Sequence, residues 1–219
     1  EVLVGAGTVL NLEQCGRALA AGARFIVSPG YNETLVNYCV EKGVPVLPGC
    51  ANASDMTRAV NAGLKLVKFF PAEQSGGIEM IKAMSAPYGG VRFMPTGGIN
   101  PSNICSYLAN PKILCCGGSW MVKPDMIAAG DFDGIRALVR GAVDTMLGFR
   151  FRHIGINSAD AETASRTAAT LGALFSFPAN VCSASVFAGS EIEIMNTQGR
   201  GTHGHVAIGT NSVDRAVYH

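Results

Sequence analysis

Six short apolar runs punctuate the first two thirds of the chain: Val2 to Val4, Phe25 to Val27, Val44 to Leu47, Leu66 to Phe70, Val91 to Met94 and Ile113 to Cys116. They recur about every 20 to 25 residues, a spacing that suits repeated strand-plus-helix units. Each is followed by small or polar residues, such as Ser28-Pro29-Gly30, Pro71-Ala72-Glu73 and Pro95-Thr96-Gly97-Gly98, so these residues collect at one end of every strand. Between the runs lie one-sided helical patterns with readable starts. Asn11 is expected to cap residues 12–21, Asn32 a helix through Lys42 that Gly43 ends, and Asn100 with Pro101 another. Asp131 opens a longer helix striped by Ile135, Leu138, Val139, Ala142, Val143, Met146 and Leu147.

Alternating units with nearly continuous apolar strands require a parallel sheet covered by helices. An open doubly wound sheet gathers its ligand residues at one switch point, whereas a barrel turns every strand's C-terminal end to one mouth. All six ends carry the small polar signature, so the pattern predicts an α/β fold over residues 1–148, a (β/α)8 TIM-type barrel lacking its first two strands. The chain begins at Glu1 with no initiator methionine and is expected to be a fragment.

After Gly148 the pattern changes. Residues 151–157 alternate as a strand, 161–171 read as a helix, and 184–188 and 192–195 as strands. Beyond the glycine-rich stretch 199–204, His205-Val206-Ala207-Ile208-Gly209 repeats the pattern begun at His153-Ile154-Gly155, and Ser212 starts another helix. Residues 149–219 are thus expected to form a partial βαβββ α+β module with the opening of a second copy.

Composition narrows the function. Of 219 residues 48% are hydrophobic and 15% charged, and the formal net charge of +1 is scattered, so no footprint for nucleic acid is present. No apolar run approaches the roughly 20 residues of a membrane helix, and a cytoplasmic enzyme is expected. Seven cysteines in mostly apolar segments, with no paired C-x-x-C spacing, read as reduced core thiols.

The chemistry centres on Lys68. On a strand, Leu66, Lys68 and Phe70 share a face. An amine held between apolar neighbours loses solvation, and its pKa falls toward the range in which it attacks a carbonyl. The alternative is a lysine that lifts its head into water over an apolar stem. Gly5-Ala6-Gly7-Thr8-Val9-Leu10 lacks the third glycine of a dinucleotide loop and reads better as a tight turn presenting Thr8. Pro95-Thr96-Gly97-Gly98-Ile99 and Gly117-Gly118-Ser119-Trp120 follow adjacent strands, where backbone N–H groups of barrels commonly cradle phosphate.

The order of the motifs along the chain carries a resemblance: Gly-Ala-Gly-Thr-Val-Leu, Phe-Ile-Val-Ser-Pro-Gly, Pro-Val-Leu-Pro-Gly, Lys-Phe-Phe-Pro-Ala-Glu, Pro-Thr-Gly-Gly-Ile and Gly-Gly-Ser-Trp. Residues 1 to about 148 resemble the 2-keto-3-deoxy-6-phosphogluconate and 4-hydroxy-2-oxoglutarate aldolases, class I lyases on a (β/α)8 barrel. The resemblance implies that Lys68 is the Schiff-base lysine. It further implies that Thr8, Pro29, Phe70 and Thr96 line the pyruvyl pocket, and that Gly97, Gly98, Gly118 and Ser119 hold the phosphate of a phosphorylated keto acid. It implies no cofactor, and a homotrimer. In that family a glutamate acid/base and a carboxylate-binding arginine come from a segment preceding the Gly-Ala-Gly-Thr run, so this chain alone is expected to turn over slowly, since acid/base catalysis contributes about 10² to 10⁴ in rate. Glu73 reads as a helix-start carboxylate and not as their replacement. Another phosphate-binding barrel, an isomerase or epimerase, would use the two glycine loops but needs no lysine beside Phe70; a catalytically silent binding remnant is the third reading.

Residues 150 to 219 resemble the vicinal oxygen chelate fold of glyoxalases and extradiol dioxygenases. That resemblance implies His153, Glu193 and His205 as ligands of a divalent metal. A metal-free version of the module remains open beside it.

Overall fold

The computed structural model describes residues 2–219, and the chain divides into two units, Glu1–Met146 and Leu147–His219. The elements of the first run α1 (Leu12–Ala20), β1 (Ile26–Val27), α2 (Glu33–Glu41), β2 (Val46–Leu47), α3 (Ala53–Asn61), β3 (Leu66–Phe69), α4 (Gly77–Ser85), β4 (Arg92–Pro95), α5 (Ile104–Leu108), α6 (Pro124–Ala128) and α7 (Phe132–Leu147), whose last residue opens the second unit. Every strand pairing among the described residues of this unit is parallel and joins neighbours in chain order. Ala6 bridges to Ile26, β1 pairs with β2, Gly49 bridges to Lys68, β3 pairs with β4, and Thr96 bridges to Gly117. Backbone bonds carry the array across the bridges: Lys68 N–H donates to Pro48 O at 3.0 Å and Cys50 N–H to Lys68 O at 2.8 Å.

Alternation decides what each strand buries. On β3, Val67 and Phe69 are fully buried and pack with Met56, Ile81, Phe93 and Tyr107 beneath the helices, which leaves Lys68 and Phe70 for the opposite face. A second cluster of Val9, Cys15, Ile26, Leu35, Val36, Cys39 and Val46 lies beneath α1 and α2. No disulfide joins cysteines among the described residues; Cys15 and Cys39 face each other at 3.8 Å between sulfurs, and burial pushes the Cys39 thiol up to about 12.

Two strands and one cap differ from the expected pattern. Residues 2–4 form no ladder: Val2 is 86% exposed, and the backbone bond from Arg24 N–H to Val4 O is a lone contact, because no element covers these side chains among the described residues. The run Ile113 to Cys116 reduces to single bridges at Ile113 and Gly117. The helix expected at Pro101 starts at Ile104, because the Asn100 carboxamide oxygen accepts from the N–H and the hydroxyl of Ser102 at 2.9 and 2.6 Å, a local turn that competes with the helix. The caps expected at Asn11 and Asn32 form, each accepting the N–H three residues on, and Asn52, which the pattern did not single out, caps α3 in the same way. Asn32 also donates to Leu10 O at 3.2 Å, so Asn32→Ala is expected to cost about 1–2 kcal/mol, read as a lower denaturant midpoint at unchanged slope.

The second unit continues with β5 (Arg150–Asn157), α8 (Ala161–Phe175), β6 (Ala179–Val181), β7 (Ser185–Ala188), β8 (Ile192–Met195), β9 (Gly204–Gly209) and α9 (Val213–Tyr218). Its sheet has the order β6-β7-β8-β5-β9; β5 runs parallel to β8 and antiparallel to β9. Strand β6 carries no sequence signal because all three of its residues are exposed. Helix α8 packs Ala164 and Ala168 on Val186, Ala188 and Ile194, so His153, Gly155, Phe187, Glu193 and His205 occupy the other face. No helix of the described residues is long and apolar enough to cross a membrane.

Candidate active site and candidate metal centre

In the first unit the strand ends enclose a cavity of about 340 Å³ lined by Lys68, Phe70, Thr96, Gly97, Gly98, Ile99, Gly117, Gly118 and Ser119. Seven of the residues expected at the site therefore come together; Ile99 and Gly117 join them, Gly117 standing inside an already suspected glycine pair. Thr8 and Pro29 are not among the lining residues. Thr8 instead borders a separate depression with Gln14 and Arg17, its backbone in the left-handed region at φ 59°, uncommon for a β-branched residue.

Lys68 is 9% exposed, so it does not lift its head into water. Its amine sits 4.1 Å from the centre of the Phe70 ring, and no carboxylate within 4.0 Å pairs with it among the described residues. Burial alone holds its pKa below the ordinary lysine value of 10.5. Trapping of a carbonyl at this amine is accordingly expected to have a midpoint below pH 10.5, measurable as the pH dependence of adduct formation. The same burial opposes folding of the charged form. Between the lowered folded value and the unfolded one, the unfolded chain binds more protons, so this contribution to stability improves as pH rises through that window.

Beside the amine lies a loop built to expose its backbone. Gly97 and Gly98 have φ of 95° and 81°, and a side chain on Gly98 would overlap Glu73. Carbonyls are engaged behind the loop: Thr96 O and Gly97 O accept from Ala72 and Glu73 N–H at 2.8 and 3.2 Å, and Gly98 O accepts from Asn100 and Asn103 at 3.1 and 3.0 Å. With their carbonyls so engaged, Gly97 and Gly98 line the cavity, and backbone N–H groups of such glycine loops are the kind that receive an anion. Thr96 Oγ1 is buried with no hydrogen-bond partner, a polar atom available to a bound molecule. Glu73 accepts the Tyr107 hydroxyl, and burial with this carboxylate holds the Tyr107 pKa well above its usual value; Glu73 does not line the cavity.

Lys68 and two glycine-rich loops thus share one cavity at the C-terminal ends of neighbouring parallel strands of an α/β unit. The family model for KDPG and KHG aldolase matches residues 1–138, and the chain belongs to that family. It is 54% identical over 138 residues to the 2-dehydro-3-deoxy-phosphogluconate aldolase of Treponema pallidum (strain Nichols), covering 63% of this chain and 66% of that protein. The chain thus spans about two thirds of that relative's length. Among solved structures it is similar to the 2-keto-3-deoxy-6-phosphogluconate aldolase of Zymomonas mobilis ZM4 with 3-phosphoglycerate (TM-score 0.59, 45% identity, 64% and 66% of the two chains). It is likewise similar to the KDPG aldolase of Legionella pneumophila with pyruvate captured as a covalent carbinolamine (TM-score 0.60, 41% identity, 62% and 66%).

The second unit brings the three expected metal ligands together. His153 Nε2 lies 3.1 Å from His205 Nε2 and 3.1 Å from Glu193 Oε2, and His205 Nε2 lies 3.4 Å from the same oxygen. A divalent ion bonded at the usual lengths to two imidazoles and a carboxylate holds those donors about 3.0–3.5 Å apart, so the set fits such an ion without rearrangement. The groups are half-buried, and the Phe187 ring meets His153 edge-on at 5.3 Å. The sequence did not reveal Ser185, which is 2% exposed and donates to Glu193 Oε1 at 2.6 Å. An isolated serine at a strand start carries no pattern that would single it out.

Proposed function

We propose that the first unit is a class I aldolase acting on 2-keto-3-deoxy-6-phosphogluconate, releasing pyruvate and glyceraldehyde 3-phosphate, and on 4-hydroxy-2-oxoglutarate, releasing pyruvate and glyoxylate. The observation that carries this reading is one cavity holding both the desolvated Lys68 amine and the Gly97-Gly98 and Gly118-Ser119 loops. The amine adds to the 2-oxo group and water leaves, giving an iminium. The hydroxyl on the leaving carbon gives its proton to water as electrons of the carbon–carbon bond flow into the iminium and the aldehyde departs; the resulting enamine takes a proton from solvent and is hydrolysed to pyruvate and free lysine. Thr96 Oγ1 would meet a polar atom of the pyruvyl part, and the glycine amides the phosphate. The name of the Treponema pallidum relative and the captured pyruvate of the Legionella pneumophila enzyme support the same chemistry. In this reading the parallel array is an arc of a (β/α)8 barrel, and the unit works as a cytoplasmic homotrimer. The test is incubation with pyruvate and borohydride followed by peptide mass spectrometry; a reduced adduct on the Lys68 peptide is expected, and its absence from folded protein would defeat the reading in favour of an isomerase or a silent binding remnant.

The donor geometry supports a second activity site: His153, Glu193 and His205 hold a divalent transition-metal ion, which would supply Lewis-acid chemistry. Direct titration of the metal-free chain with Co(II) is expected to give one bound ion, and His153→Ala to weaken binding by more than the roughly 10–100-fold effect of an outer partner.

A further inference from the structure

We propose that Gly155 and Ser185 are the positioning residues that make the triad of His153, Glu193 and His205 able to hold a divalent cation; the inference rests on the metal reading above. The ligands stand on three adjacent strands, and the sheet register puts Gly155 between two of them: it is the parallel partner of Glu193 and the antiparallel partner of His205. Gly155 is buried, and a methyl group placed on it would overlap the His205 imidazole. Its φ is not in the left-handed region, so no backbone requirement explains a glycine here. The missing side chain is what lets the His205 ring lie across β5 and bring Nε2 to 3.1 Å from His153 Nε2. The repeat in the sequence acquires a physical meaning from this register. Gly155 follows His153 by two and faces His205, while Ala207 follows His205 by two and faces His153. Gly155 is the seat of the His205 imidazole, and the register sets the equally small Ala207 opposite His153.

Ser185 sets the third ligand. Its hydroxyl donates to Glu193 Oε1 at 2.6 Å from a diagonal position on β7, which leaves Oε2 turned toward both imidazoles. A buried hydroxyl would be a cost without this partner, and a carboxylate with one oxygen tied presents the other in a fixed direction.

The experiment is Co(II) titration of the full 219-residue chain, followed by the visible absorption of the bound ion, with far-UV circular dichroism and melting as folding controls. Wild type is expected to bind one ion. Ser185→Ala is expected to bind about 10–100-fold more weakly with an altered spectrum at unchanged melting temperature, and Ser185→Thr to restore affinity and spectrum. Gly155→Ala is expected to lose affinity by a similar or larger factor. If it does not fold, Ala207→Val probes the register position opposite His153 and is expected to weaken binding likewise. Wild-type binding with Ser185→Ala and the seat variant unchanged would overturn the inference and leave the metal reading standing. No binding by folded wild type would overturn the metal reading and the inference with it.

Discussion

Lys68→Gln is expected to abolish the borohydride-trapped pyruvate adduct and to lower carbon–carbon cleavage by roughly a thousandfold or more. Among the cavity-lining residues Lys68 is the single amine, so no neighbour can take over the covalent step. Glutamine keeps most of the side chain's length and removes a desolvated ammonium whose burial opposes folding, so the variant should melt no earlier than wild type. Adduct formation and melting are read on the same samples. A full adduct at another lysine of the variant would move the nucleophile elsewhere. A folded variant with undiminished cleavage would remove imine chemistry from the site.

Phe93→Ala is expected to cost about 3–5 kcal/mol, roughly a fifth or more of the 5–15 kcal/mol stability of an ordinary domain. Phe93 is fully buried, pairs in register with Val67 on β3, and belongs to the cluster with Phe69, Ile104 and Tyr107. Its neighbour Met94 pairs with Lys68, so the two faces of β4 serve different ends: one holds the unit together and the other borders the amine. Denaturant unfolding should show a lower midpoint for Phe93→Ala. Pyruvate trapping per folded molecule, measured at low temperature, should change little, in contrast to Lys68→Gln.

Period and punctuation made most of the first unit legible. The alternation around Lys68 assigned Val67 and Phe69 to the core and Lys68 to the opposite face, and the glycine pairs after β4 and after Ile113 marked the cradle. Residues 2–4 escaped the same logic because an apolar run predicts a strand only when something covers it, and Val2, Leu3 and Val4 are more than half exposed. Asn100 misled because a carboxamide that can cap a helix can equally close its own turn, and here Ser102 supplies both of the donors that its oxygen accepts. In the second unit the two histidines were visible through their repeat and Glu193 through the chelate-fold resemblance, whereas Ser185 and the role of Gly155 depend on cross-strand register, which no local pattern encodes.

Strand β9 lies at an edge of its sheet, paired with β5 alone, and supplies one of the three ligands. A cation bridging His205 to His153 and Glu193 would therefore behave as a cross-link between an edge strand and the sheet interior. Edge strands open more readily than central ones, and each opening of β9 would have to release the ion. At an ion concentration a thousand times its dissociation constant, that coupling adds about 4 kcal/mol against opening. Occupancy of the triad would then govern how long β9 stays in register, making that strand a latch whose tension follows the supply of metal.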